Sequence, residues 1–250
     1  MDDRVALVTG TSSGIGAALA AALLDDGWTV VGLARREATF DSPLYQHLRV
    51  DLGDASRLEA VADAQLAPLL RDRRWTRIGL VNNAALIGAL RGLEDITPEQ
   101  LNRAFAVNAI APMFLMGFVA RVASSSASLR IVNISTGAAV RPFPGLADYG
   151  SSKAALRMAG MIMAEELSSD NRPGGRHADA SILSYEPGVV DTAMQVQARS
   201  TTGEESPWNQ PFKDFAAQGL LEKPADVVGD ILEFLSRESG EPFVERRYGM

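Results

Sequence analysis

Tyr149 and Lys153 stand four residues apart in the stretch YGSSK. On a helix that spacing puts both side chains on one face, a turn apart. A phenol next to an ammonium is a proton donor with a charge to steer it. A free phenol has a pKa of about 10, too high to ionise near neutrality, and a cation beside it favours the phenolate. Two polar residues on an exposed helix are the ordinary alternative, and spacing alone does not separate the two.

A second group of residues points to phosphate. VALVTGTSSGIGAALA sets Gly10, Gly14 and Gly16 between a strand-like and a helix-like segment. Glycine suits a sharp turn and the close approach of a phosphate to main-chain N–H groups. The helix start then offers unpaired donors and the positive end of its dipole. The pattern is G-x-x-x-G-x-G, and no Walker lysine follows. After the second strand-like run the chain reads GLARRE, so Ala34 is followed by Arg35 and Arg36 before the first acid at Glu37. In dinucleotide folds an acid here accepts from a ribose 2′-hydroxyl, whereas arginine tolerates a 2′-phosphate. NADP(H) is therefore expected over NAD(H).

The elements that must position these groups alternate. Apolar runs at 5–9, 29–33, 48–52, 78–82, 130–135, 180–185 and 242–245 read as strands, most of them apolar throughout, as in a parallel sheet buried on both faces. Between them 16–27, 55–70, 97–123, 153–167 and 224–237 read as helices. Gly27 suits a C-cap, Asp54 an N-cap, and Thr97-Pro98 a helix start. This rhythm predicts one α/β domain over 1–250, a doubly wound parallel sheet of about seven strands with helices on both faces. The stretch 193–223 is the least regular and too long for an ordinary connection.

Composition narrows the classes. There is no cysteine, so disulfides and thiolate chemistry are excluded. The net charge of −7 argues against a general nucleic-acid binder and against attraction to anionic membranes. His47 and His177 lie far apart without metal-site spacing, and both are expected at the surface or in loops. No metal is expected. No signal-peptide pattern opens the chain and no apolar run reaches membrane-spanning length, so a cytoplasmic protein is expected.

Taken in order, TGTSSGIG (9–16), DL (51–52), NNAA (82–85), Asn108, NIST (133–136), Tyr149/Lys153 and PGVVDT (187–192) resemble the short-chain dehydrogenase/reductase family over nearly the whole chain. The resemblance implies a Rossmann-type fold and makes YGSSK the active-site Y-x-x-x-K. It implies Tyr149 as general acid in reduction and general base in oxidation, with Lys153 on the nicotinamide ribose and linked through water to Asn108. The substrate-oxygen donor, serine in most members, falls on Thr136, with Ser135 as the lesser substitute. Ser12, Ser13 and Ile15 join the glycines in holding the dinucleotide. Asp51 and Leu52 would meet the adenine, and Asn83, Ala84 and Ala85 its ribose, although Ala85 stands where glycine is more usual. Pro187, Gly188, Val190 and Thr192 would border the nicotinamide.

For substrate, NNAALIGAL, RPFPGLADYGSSKAALRM and ILSYEPGVVDTAMQ are similar to sepiapterin reductases and bacterial benzil reductases. A lid over about 193–220 would bring Met194, Trp208 and Phe212 to the pocket, and Glu245 is the nearest counterpart of an acid that anchors pterin. The expected reaction is NADPH-dependent reduction of an apolar or aromatic ketone or dicarbonyl. A 3-oxoacyl-thioester reductase is the alternative, and an NADP(H) sensor without chemistry is the alternative of another class. The helices at 97–123 and 151–167 are apolar nearly all round, and in the family such helices pair across a two-fold axis, so a homodimer or homotetramer is expected.

Overall fold

The computed structural model describes residues 3–88, 90–168, 177, 179–200, 208–238 and 240–250. Seven strands, β1 (Arg4–Thr9), β2 (Thr29–Ala34), β3 (Tyr45–Arg49), β4 (Arg77–Asn82), β5 (Ser128–Ile134), β6 (Ala180–Glu186) and β7 (Phe243–Arg247), form one sheet. Its order is β3-β2-β1-β4-β5-β6-β7, and every pairing is parallel. Order reverses between β1 and β4, which leaves a crevice at the strands' carboxyl ends.

The apolar runs form central strands because both faces are covered. One core joins Leu7, Val31, Leu80 and Ile131 to Leu115, Phe118 and Leu156, and the other joins Ala6, Val8 and Val132 to Leu19, Ile231 and Phe234. The edge strand β3 lies at 45–49 rather than 48–52. Its residues alternate in burial because it is paired on one side only, so a search for unbroken apolarity slides past it.

Helix α1 (Gly14–Asp25) ends before Gly27, whose φ of +78° only glycine adopts freely. Asp54 caps α2 (Ala55–Val61), which runs through a π-helical turn into α3 (Ala67–Leu70). Thr97 and Gln100 form a capping box at α4 (Pro98–Phe105). A second π-helical turn, Ala106–Ile110, then leads into α5 (Ala111–Val122). By length and mean hydropathy the whole helix Pro98–Val122 could cross a membrane, although polar residues interrupt its apolar run; half of its most apolar window is buried inside the protein.

Helix α6 (Ala147–Ser168) starts six residues earlier than its apolar stretch suggested, so it takes in Tyr149. The segment after Thr192 holds two helices, α7 (Ala193–Ser200) and α8 (Gln210–Ala217), where irregular chain was expected. Of that segment, 201–207 lies outside the described residues, as do 171–176 and 178. Helix α9 (Gly229–Ser236) precedes β7. His47 departs from the expectation: it is half-buried in β3 with Nδ1 3.2 Å from the Tyr45 hydroxyl. His177 lies outside the helices and strands, but it is buried, with Nε2 3.1 Å from the Ala120 carbonyl.

Candidate active site

A cavity of about 1290 Å³ opens at the carboxyl ends of the strands. That exceeds the volume of an ordinary small-ligand pocket and has room for a dinucleotide with a second small molecule. Its lining brings together most of the residues singled out from sequence, although they span 203 positions from Gly10 to Phe212, counting both ends.

One half is built from main chain. Gly10 and Gly14 adopt φ of +78° and +60°, turning the chain from β1 into α1. Gly16 is needed for a different reason, because a Cβ there would lie 2.4 Å from the Gly10 carbonyl oxygen and 2.5 Å from Asn83 Nδ2. Gly16 therefore does not line the cavity but lets α1 pack onto the turn. The N-cap Ser13 makes no side-chain capping bond, and α1 has no acid in its first turn. The first N–H groups of α1 thus have no capping side chain, as an anion site requires. Thr9 Oγ1 accepts from the N–H groups of Asn83 and Ala84 at 2.9 and 3.0 Å, fixing the end of β4 beside this turn.

Arg35 and Arg36 line the same half, with Asp51 and Leu52 across from them. Arg36 donates to Ser13 Oγ at 3.0 Å, and Arg35 lies 3.9 Å from the Asp51 carboxylate. Pro187, Gly188, Val190 and Thr192 carry the lining on, and the Thr192 methyl comes within 3.0 Å of where a Gly14 Cβ would stand. The residues present fit a dinucleotide.

The other half holds the ionisable groups. Tyr149 and Lys153 face the cavity from the first turns of α6. Lys153 is 2% exposed, and Nζ donates to the Ile134 carbonyl at 2.8 Å. Burial lowers its pKa to about 8. The same burial pushes the Tyr149 phenol up to about 12, opposed only in part by the neighbouring Thr136 hydroxyl. Desolvation dominates at the phenol, and the Lys153 ammonium is turned to a carbonyl. Thr136 lines the cavity beside Ser135, and its Oγ1 accepts from Ala138 N–H at 3.3 Å.

Asn108 does not reach the cavity. It is fully buried in the second π-helical turn, where its amide donates to Leu86 O and accepts from Leu86 N, both at 2.8 Å. Its Nδ2 also donates to Ser152 Oγ at 3.1 Å, and that hydroxyl donates to Tyr149 O at 2.7 Å. The residue ties α6 to the chain after β4. Glu245 is also elsewhere. It lies on β7 outside the lining, and Arg157 grips its carboxylate at 2.6 and 2.7 Å, holding it below the usual carboxylate range.

The remaining wall is apolar. Ile87, Leu90, Leu146 and Ala198 form a small cluster against which Tyr149, Met194 and Phe212 pack. Trp208 lies over Gly145, whose Cβ position would be 2.5 Å from the Trp208 Cβ. Val190 and Glu222 form a parallel bridge, so the excursion that carries α7 and α8 is clipped at its base. Sequence reasoning missed Asp148, whose Oδ1 accepts from the Tyr149 N–H at 2.8 Å, and missed Arg141 and Gln195 in the lining. Asp148 was legible as an acid in the first turn of a helix; Gln195 carried no signal beyond standing three residues after Thr192.

Residues 4–203 match the family model for short chain dehydrogenase. The chain belongs to that family. Its members are NAD(P)-dependent oxidoreductases, and so is this protein. A benzil reductase ((S)-benzoin forming) from Bacillus cereus is 30% identical over 243 residues, covering 94% of this chain and 95% of the relative. Sepiapterin reductase from Rattus norvegicus is 32% identical over 217 residues, covering 79% and 78%. Among solved structures, a short chain dehydrogenase/reductase from Saccharomyces cerevisiae superposes with a TM-score of 0.80 at 23% identity, covering 99% of this chain and 96% of that one.

Proposed function

We propose that this short-chain dehydrogenase is an NADPH-dependent carbonyl reductase acting on an apolar or aromatic ketone or dicarbonyl, with Tyr149 as its general acid. The observation that carries the reading is the divided cavity: an uncapped helix start with two arginines at one end, and a half-buried phenol and a buried ammonium beside an apolar wall at the other. Benzil reductases among the relatives support an aryl dicarbonyl.

When bound, the reduced nicotinamide supplies the hydride. The chain's own groups manage the oxygen. A carbonyl being reduced gathers negative charge on oxygen and needs a proton. A phenol held at a pKa of about 12 keeps its proton at neutral pH and gives it up only to a stronger base, as an alkoxide is. Thr136 offers a second hydroxyl to the same oxygen, and its methyl narrows the pocket compared with serine. Lys153 uses one of its three donors on Ile134 among the described residues, which leaves two for the cavity. Asn108 acts at one remove by fixing α6.

The 2′-phosphate preference rests on Arg35 and Arg36 with no acid at Ala34. Arg36 already reaches the Ser13 hydroxyl, so its guanidinium stands over the phosphate-binding turn. Replacing a charge-assisted contact of this kind costs about 1.5–3 kcal/mol. Arg36→Ser should therefore lower kcat/KM for NADPH by about tenfold to a hundredfold and leave that for NADH little changed. A thioester reductase ranks second because its acidic carrier needs a basic rim, and Arg199 on α7 is paired with Asp191 at 3.7 Å. A sensor ranks third because Tyr149 and Lys153 are both present.

The working unit in this reading is a cytoplasmic homodimer or homotetramer. Ile110, Met158 and Ile162 are each more than half exposed on the helices 98–122 and α6, and a Cβ at Gly117 would meet nothing within 4 Å. Light scattering giving the mass of a single chain would overturn the assembly. The function is tested by NADPH oxidation with benzil, 1-phenyl-1,2-propanedione, sepiapterin and an acetoacetyl thioester, repeated with NADH. Turnover of the aryl dicarbonyls with NADPH is expected, and tight NADPH binding without any turnover would favour the sensor.

A further inference from the structure

We propose that Gln195 is a specificity residue that reads a second oxygen on the substrate, next to the carbonyl being reduced. The inference rests on the reductase reading and adds the substrate feature that reading leaves open. Gln195 sits on α7 on the same face as Ala198, which packs against Ile87, Leu90 and Leu146. It is 5% exposed and lines the cavity that Tyr149 and Thr136 also line. Its Oε1 is sealed from solvent and has no hydrogen-bond partner among the described residues.

A buried amide in an apolar wall without a partner is costly, and such groups are rare in folded proteins. Turning the amide over exchanges an orphan acceptor for an orphan donor, so its sealed end stays unsatisfied either way round. No hydrogen bond from a described residue answers it. The other end of the amide is not sealed, and that is the end an occupant of the cavity can reach. An amide matches a hydroxyl, which both donates and accepts, and matches a carbonyl oxygen through its N–H. Both occur where two oxygens stand on adjacent carbons, in a 1,2-dicarbonyl and in the hydroxy ketone formed from it. A plain ketone brings one oxygen, which Tyr149 and Thr136 take, and would leave the amide stranded.

The test compares benzil and benzoin with deoxybenzoin, which has the same two rings and lacks the second oxygen. Benzil is the more reactive carbonyl, so the readout is the change in the kcat/KM ratio on going from the wild type to Gln195→Met, not the ratio itself. The ratio should collapse by about tenfold or more, mainly through KM for benzil and benzoin, with deoxybenzoin little affected. The isosteric Gln195→Glu keeps an acceptor oxygen in place and should retain part of the preference for benzoin. A structural role predicts the opposite in the empty protein: removing an orphan polar group should raise the Tm of Gln195→Met by a few degrees at most, whereas loss of a structural hydrogen bond lowers it. An unchanged ratio, or a loss confined to NADPH affinity, overturns the proposal while the reductase reading stands. No turnover on any carbonyl overturns both.

Discussion

The two ends of strand β5 bury polar side chains in opposite ways. Near its start, Arg130 is fully buried, and its two Nη groups reach the carbonyls of Leu129, Asp179, Arg237 and Glu238 and the Asp179 carboxylate, all within 3.2 Å. At its far end, the Ile134 carbonyl holds Lys153 by a single bond, and Thr136, Tyr149 and Gln195 stand around a cavity with capacity to spare. Lys153 is buried nearly as deeply as Arg130, but it is held by one bond, whereas Arg130 lacks a partner only at Nε. A buried cation whose Nη groups are spent on backbone carbonyls and a carboxylate holds loops together. A buried cation and amide beside a half-buried phenol, with donors and acceptors turned to a cavity, are placed to meet something else.

The comparison can be broken in four places. Tyr149→Phe removes the proton donor and nothing structural, so kcat should fall by about 10²–10⁴ while NADPH affinity and Tm hold; a comparable loss of stability would place Tyr149 with Arg130. Arg130→Met should do the reverse. It strands buried carbonyls and should cost about 3–5 kcal/mol in urea denaturation, with the folded fraction still active.

Lys153 supplies a pH test. Its pKa is about 8 in the fold against the ordinary 10.5 in the unfolded chain. Between those values the unfolded chain binds more protons, so stability rises with pH from 8 to 10.5 and the gain is lost as pH falls through 8. The gain is on the order of 3 kcal/mol, and Lys153→Met should flatten that slope when urea midpoints are taken across the window. A wild type with no slope would mean that the ammonium is solvated. The smallest effect belongs to Glu245→Gln. Its pair with Arg157 is partly exposed, with side chains 47% and 25% accessible, so about 0–1 kcal/mol is expected and no change in kcat/KM.

The legibility of the sequence followed the same division. Central strands were readable because burial on both faces demands unbroken apolar runs, and β3 was not, because an edge strand carries Tyr45, Gln46 and His47 at half-covered positions. Tyr149, Lys153 and the glycine turn were readable because their chemistry depends on local spacing along one element. Asn108 was found as a residue, but its partner Leu86, 22 positions away, was not, since only the fold brings them together. Glu245 misled for the converse reason: its true partner Arg157 lies 88 positions away on another element. Gln195 had no local pattern at all, and only an unfilled hydrogen bond marks it.

The π-helical turn at Ala106–Ile110 has a consequence for reading this helix as text. A π-turn takes in about one residue more than an α-turn, so it slips the helix out of phase by about 100°. The segments on either side, Pro98–Phe105 and Ala111–Val122, therefore point their apolar stripes in different compass directions. Summed along a single phase, the two stripes smear into a helix that looks greasy on every side.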